Sequence, residues 1–212
     1  MLKAPPPEAG PLDLSVLDPA ERERVAAFVR PTDARAYAAA HIALRRLLAG
    51  WLRIGPEEIP IWREPLGRPV IPCPGLKLHF SVSHSGGLAL FAVAATPVGA
   101  DVQRRTGDRT IDAVARTLHP AERAELEAAP EEARPELFGR MWTRKEAYLK
   151  GIGTGLRRSP AADYLGSDHR LRPYGWTVFD VSCPPAHTAA VAVQGPPPRQ
   201  LRVHWLPPDW LA

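Results

Sequence analysis

Apolar residues recur at helical spacing between positions 33 and 52, where Tyr37, Leu44, Leu47, Leu48 and Trp51 share one side with Ala40 between them. A second long helix is predicted over about 135–152. Two short unbroken apolar runs, Leu88-Ala89-Leu90-Phe91-Ala92-Val93-Ala94 and Thr188-Ala189-Ala190-Val191-Ala192-Val193, predict strands buried on both faces. A helix start is written into Leu17-Asp18-Pro19-Ala20-Glu21-Arg22. Asp18 suits the N-cap, Pro19 the first helical position and Glu21 the third.

The same six-residue pattern returns as Leu118-His119-Pro120-Ala121-Glu122-Arg123, which keeps the proline and the glutamate. Start signal, long helix and apolar strand therefore occur twice at one offset of about 100 residues. The arrangement predicts an α+β fold of two pseudo-symmetric α/β halves, residues 1–97 and 98–212, with the boundary near Pro97-Val98-Gly99. Self-matching of an Ala- and Arg-rich sequence is the alternative.

Composition adds modest constraints. A chain of 212 residues with 45% hydrophobic and 24% charged content can bury a core without staples. Two cysteines, Cys73 and Cys183, make neither a disulfide framework nor a four-ligand zinc site, and both read as reduced thiols. No run approaches a membrane span, and residues 1–14 lack the apolar core of a signal peptide, so a soluble cytoplasmic protein is expected. The net charge of +4 favours an anionic partner: a nucleotide, a nucleic acid or an acidic protein. There are four lysines against 23 arginines, yet Lys145 and Lys150 both flank Glu146, which supports a role needing an ammonium.

Four motifs carry candidate chemistry. In Trp142-Thr143-Arg144-Lys145-Glu146-Ala147-Tyr148-Leu149-Lys150, helical spacing puts Trp142, Glu146 and Lys150 on one face. Taken alone, Glu146 and Lys150 read as an exposed i,i+4 ion pair. In Val98-Gly99-Ala100-Asp101-Val102-Gln103, strand alternation puts Asp101 and Gln103 on one side. An Asp there is either a solvated turn former or one of the few carboxylates that Mg²⁺ wants beside water and phosphate oxygens. Ser81-Val82-Ser83-His84-Ser85 before Gly86-Gly87 reads alone as a polar turn, and Gly67-Arg68-Pro69 as a surface turn with an exposed Arg. No Gly-x-x-x-x-Gly-Lys loop, dinucleotide fingerprint, zinc motif or aromatic-and-basic nucleic-acid pattern is present.

Together and in this order, the four motifs resemble those of the 4′-phosphopantetheinyl transferases, specifically the long, monomeric surfactin-type branch. The likeness runs over about residues 33–156. It implies a monomer whose active site lies in the cleft between the halves, with coenzyme A as co-substrate and an acidic acyl or peptidyl carrier domain as partner. Neither nucleic acid nor membrane is expected. The resemblance assigns Asp101 and Glu146 to Mg²⁺, Glu146 also to general-base work, and Lys150 to the diphosphate. Ser83 and His84 would contact coenzyme phosphates. Arg68 stands where the family has Lys, and Arg45 where it places an Arg near the 3′-phosphate. Gln103 replaces a usual second acid, which leaves Mn²⁺ as an alternative to Mg²⁺. Ser81 stands where Asn is usual. A hydrophobic patch within residues 119–133 is the candidate carrier contact. A non-catalytic nucleotide- or acidic-protein-binding module of the same fold is the alternative function.

Overall fold

The computed structural model describes residues 1–6, 10–73 and 75–211. The long amphipathic segments form α2 (Pro31–Leu52) and α5 (Arg134–Ile152), preceded by the short helices α1 (Pro19–Ala26) and α4 (Pro120–Ala128). A further helix, α3 (Asp108–Ala115), precedes α4. Two three-stranded antiparallel sheets carry the core. One has the order β1 (Leu2–Lys3), β5 (Leu88–Ala94), β4 (His79–Ser85); the other has β6 (Val98–Arg104), β8 (His187–Gln194), β7 (Trp176–Asp180). A small hairpin, β2 (Trp62–Arg63) with β3 (Pro69–Val70), stands apart.

Strand alternation decides which layers meet. Leu88, Leu90 and Ala92 of β5 pack against Val98, Ala100 and Val102 of β6 and against Ala189 and Val191 of β8. The intervening positions face outward onto helices: Ala89 joins the α2 cluster, and Ala190 and Ala192 meet Ala147, Tyr148 and Leu149 of α5. The result is four layers, α2, sheet, sheet, α5. This explains why both apolar runs show no alternation of polarity: each strand is covered on two faces.

Two start signals work as written, with one surprise. Asp18 and Glu21 form a reciprocal capping box at α1. At α4 the residue without a capping side chain in the usual sense, His119, accepts from Ala121 N–H through Nδ1, and Glu122 closes the box. The stripe on α2 is shorter than expected. Tyr37, Leu44 and Leu48 are buried, but Trp51, in the last turn of the helix, is 65% exposed.

The Ser-Val-Ser-His-Ser segment is strand β4 rather than a turn; the turn is confined to Gly86 and Gly87, with φ of 55° and 77°. Two consecutive positive φ values are what a tight hairpin needs, and glycine adopts them without strain. A second departure concerns the tail. Met1 and Leu206 share a backbone hydrogen bond, Arg46 donates to the Trp210 carbonyl, and Leu206, Trp210 and Leu211 pack on the α2 cluster. Leu206, Trp210 and Leu211 therefore pack with the first half rather than with the rest of the 98–212 half.

Helix α5 lies directly on β6 at Gly99. A Cβ there would stand 1.9 Å from the Ala147 carbonyl oxygen and 2.4 Å from the Gly151 nitrogen. Both obstacles are backbone, so neither can yield without moving the helix. Gly99→Ala is expected to lower stability by about 1–3 kcal/mol, the usual cost of overpacking; urea denaturation checks it.

Candidate active site

Asp101 is the centre of the site. It sits on β6, 5% exposed, where β6 passes along β4 without joining its ladder. Three serines bridge this seam from alternate positions of β4. Ser81 Oγ accepts from Ala100 N–H (3.0 Å), Ser85 Oγ accepts from Arg104 N–H (3.1 Å), and Ser83 Oγ donates to Asp101 Oδ1 (2.8 Å). Lys150 Nζ reaches the same Oδ1 from α5 (2.6 Å) and also donates to the Ala100 carbonyl (3.2 Å). Asp101 Oδ2 is buried with no protein partner.

Glu146, one turn before Lys150, is half-buried. Lys150 turns inward to Asp101 instead of pairing with it, so the exposed i,i+4 pair that the spacing alone suggests does not form. Burial pushes the Glu146 carboxyl above its ordinary range, the Asp101 charge adds to this, and Lys150 opposes it. Gln103 lies on the Asp101 face of β6, two residues on and also half-buried. Two neighbouring acids, one with an orphaned buried oxygen and the other held back from ionising, fit a divalent cation: such an ion would take up the free Oδ2 and relieve the repulsion. Among the described residues there is no cluster of three His, Cys, Asp or Glu side chains suited to a metal, so water, Gln103 and substrate oxygens would have to complete a shell.

A cavity of about 420 Å³ opens beside this centre, in the size range of small-molecule sites. Ser83 and His84 of β4, His41 of α2, Arg68 after the β2–β3 turn, and Lys150 and Gly153 at the end of α5 line it. Asp101 and Glu146 lie behind this wall. His84 is exposed at the lip, its ring edge-on to Tyr37. Desolvation by the surrounding protein lowers its pKa, and the nearby His41 and Lys150 add to this against Asp33, which favours the neutral ring.

Arg68 does line the cavity, but not as a free cation. Glu64 grips it bidentately (2.9 Å to Nε and to Nη2), and Nη1 donates to the Gly151 carbonyl at the end of α5. It thereby ties the hairpin to a helix C-terminus, where a cation is favoured. Arg45 must be corrected. It is 1% exposed and lines no part of this cavity. Nε bonds Glu21 (2.6 Å), Nη2 bonds Asp18 (2.6 Å), and Nη1 bonds the Pro56 and Ile59 carbonyls. A guanidinium so placed offers nothing to a phosphate. Lys145 repeats the arrangement: 1% exposed, it meets Glu122 at 2.9 Å and the carbonyls of Pro160 and Asp163. Of the two lysines flanking Glu146, only Lys150 belongs to the site.

In the stretch 119–133, expected to carry a hydrophobic patch, Leu126 is turned into the core, and the exposed positions mix small apolar residues (Ala124, Ala128, Pro130, Ala133) with Arg123, Glu127, Glu131 and Glu132. Sequence reasoning passed over His41 and Glu21. His41 Nδ1 meets Glu21 Oε1 at 2.8 Å, and both line the cavity. The signal was present: a histidine four residues after Tyr37 on the buried stripe of α2, which now stacks on that tyrosine with ring centroids 4.0 Å apart.

A model of the 4′-phosphopantetheinyl transferase superfamily matches residues 97–201, and a model of the N-terminal part of 4′-phosphopantetheinyl transferases matches residues 5–97. The chain is 32% identical to the 4′-phosphopantetheinyl transferase HetI of Nostoc over 72% of its own length and 66% of that relative. It is 26% identical to the 4′-phosphopantetheinyl transferase Sfp of Bacillus subtilis over 68% and 63%. It is 31% identical to the human L-aminoadipate-semialdehyde dehydrogenase-phosphopantetheinyl transferase over 66% and 49%. The matched stretch thus spans less than two thirds of each of these relatives.

Two stability measurements separate structural from site charges. Arg45→Ala leaves Glu21 buried without its main cation and is expected to cost about 3–5 kcal/mol in urea denaturation. Glu146→Gln should shift stability in the opposite direction at neutral pH. The folded state holds the Glu146 proton more tightly than the unfolded chain, so ionisation of this residue costs stability as pH rises from the ordinary glutamate value of 4.5 through the raised one. The variant is expected to be more stable than wild type at pH 7, with the gap closing below pH 4.5; urea midpoints at the two pH values check it.

Proposed function

This chain belongs to the 4′-phosphopantetheinyl transferase superfamily, and on that premise we propose that it transfers 4′-phosphopantetheine from coenzyme A to a serine of an acyl or peptidyl carrier protein. The observation that carries the reading is the pairing of Asp101 and Glu146, with an orphaned carboxylate oxygen, beside a cavity that presents Lys150, Arg68 and His84. We assign Asp101 Oδ2 and Glu146 to a Mg²⁺ or Mn²⁺ ion, with Gln103 offering a neutral carbonyl oxygen. When bound, the ion supplies charge neutralisation to the diphosphate.

The chain's own residues do the rest. Lys150, already directed at Asp101 Oδ1, lies where it can also touch a phosphate oxygen from the cavity side. Arg68 sets the hairpin wall and keeps N–H groups free for an anion beyond those held by Glu64. His84, neutral at the lip, donates a single N–H. Glu146 takes the proton of the carrier serine, a role suited to a carboxylate whose basicity burial has raised. The serine oxygen forms a bond to the β-phosphorus, the bond from that phosphorus to its bridging oxygen breaks, and 3′,5′-ADP leaves with that oxygen, its new charge facing Lys150.

The finer architecture belongs to the same proposal. Two pseudo-symmetric halves meeting at a cleft are supported by matched strand orders, β1-β5-β4 and β6-β8-β7. They are supported as well by matched networks, in which an N3 glutamate of a short helix grips a buried cation of the following long helix, Glu21 with Arg45 and Glu122 with Lys145. Residues from both sides of position 97 line the cavity. An acidic carrier suits a net charge of +4. Among the described residues no helix is long and apolar enough to cross a membrane, and we propose a cytoplasmic monomer.

Intact mass of an apo carrier protein, incubated with this protein, coenzyme A and Mg²⁺, tests the reading. A gain of about 340 Da, one phosphopantetheine on serine, is expected; EDTA should prevent it, and Glu146→Gln should abolish it while coenzyme binding persists. Coenzyme binding with no mass gain on several carriers would point instead to a non-catalytic binding module.

A further inference from the structure

Ser83 has a specific geometry that a phosphate-contacting role does not explain. Along β4, Ser81, Ser83 and Ser85 share the inner face with their β5 partners Ala92, Leu90 and Leu88, which pack against β6. Each hydroxyl is spent on β6: two accept from its backbone, and the middle one donates to Asp101. The register of β4 against β6 therefore aims Ser83 at the carboxylate, and only 8% of the residue is exposed. A hydroxyl has one proton to donate. Ser83 gives it to Asp101 Oδ1, which Lys150 also holds, and Oδ2 is left buried without a partner.

The two oxygens of Asp101 are thus differentiated. Without Ser83 the carboxyl group could rotate, offering either oxygen to Lys150. With it, Oδ1 is saturated by two donors and Oδ2 is the one presented. We propose that Ser83 is a positioning residue for Asp101, fixing the carboxylate so that Oδ2 faces a divalent cation, and is not itself a ligand of the coenzyme phosphates. The inference rests on Asp101 serving as a metal ligand in the reading above. Hydrogen-bond partners of metal-binding carboxylates typically govern metal affinity by about 10–100-fold, whereas a lost phosphate contact would appear in coenzyme binding.

The test separates these two quantities. Mn²⁺ binding is followed by electron paramagnetic resonance without coenzyme, and coenzyme A binding by calorimetry in EDTA, for wild type, Ser83→Ala and Ser83→Thr. Ser83→Ala is expected to weaken Mn²⁺ binding by about tenfold and leave coenzyme affinity in EDTA unchanged; Ser83→Thr, which keeps a hydroxyl on a strand-compatible side chain, should restore Mn²⁺ binding. Thermal unfolding establishes that each variant is folded, and Ser83→Cys, a near-isostere with a weak donor, replaces the alanine variant if that one is not. Loss of coenzyme affinity in EDTA with unaltered Mn²⁺ binding would overturn the proposal, as would no change in either. Wild-type protein that fails to bind Mn²⁺ would overturn it too. Wild-type protein that binds Mn²⁺ but modifies no carrier would sink the transferase reading while leaving the Ser83 comparison standing.

Discussion

The seam between β4 and β6 is the constraint on which the site depends. Two sheets meet there face to face through Leu88, Leu90, Ala92, Val98, Ala100 and Val102, and an apolar interface of this kind fixes distance but not register, since dispersion and burial have no direction. The serine hydroxyls supply the direction. Each locks one residue of β4 to one residue of β6, and the middle lock is the Asp101 carboxylate. On the far side, α5 can bring Glu146 and Lys150 to that carboxylate only because Gly99 lets helix backbone rest on strand backbone. Packing, register and site geometry are one arrangement, not three.

Charge is handled in two ways in this molecule. In the structural networks every charged group is answered. Glu21 caps α1, receives Arg45 and meets His41; burial alone would raise its carboxyl, but those partners outweigh it and hold it below the ordinary range. Glu122 caps α4, receives Lys145 and accepts the Leu165 N–H. Buried ion pairs are tolerable when donors and acceptors are satisfied on all sides. At the site the rule is broken. Asp101 keeps an unpartnered oxygen, and Glu146 is pushed upward by burial and by its acidic neighbour. Local destabilisation next to a cavity is where ligand binding can be expected to repay it.

Much of this was legible in the chain. Helix starts at Asp18 and His119, the long helices and both buried strands follow from spacing and capping, interactions that close within a few residues. Lys150, Ser83, His84 and Arg68, which line the cavity, and Asp101 and Glu146 behind it were all candidates from the four motifs. What spacing could not supply was the partner of each. Arg45 and Lys145 read as available cations and are buried structural ones; Lys150 reads as the partner of Glu146 and is the partner of Asp101. A turn was expected at Ser81-Val82-Ser83-His84-Ser85 and is a strand, because its backbone pairs with β5 along its length.

The division has a physical origin. Backbone hydrogen bonding and amphipathic period act over one or two turns, so the sequence by itself determined the elements and the residue types that could carry chemistry. Which oxygen of Asp101 is held and which is free, whether a cation is buried or offered, and where the tail after Trp205 packs all depend on groups about 20 to 200 residues away in the chain. Electrostatic energies depend on distance and on burial, and only the tertiary structure sets either.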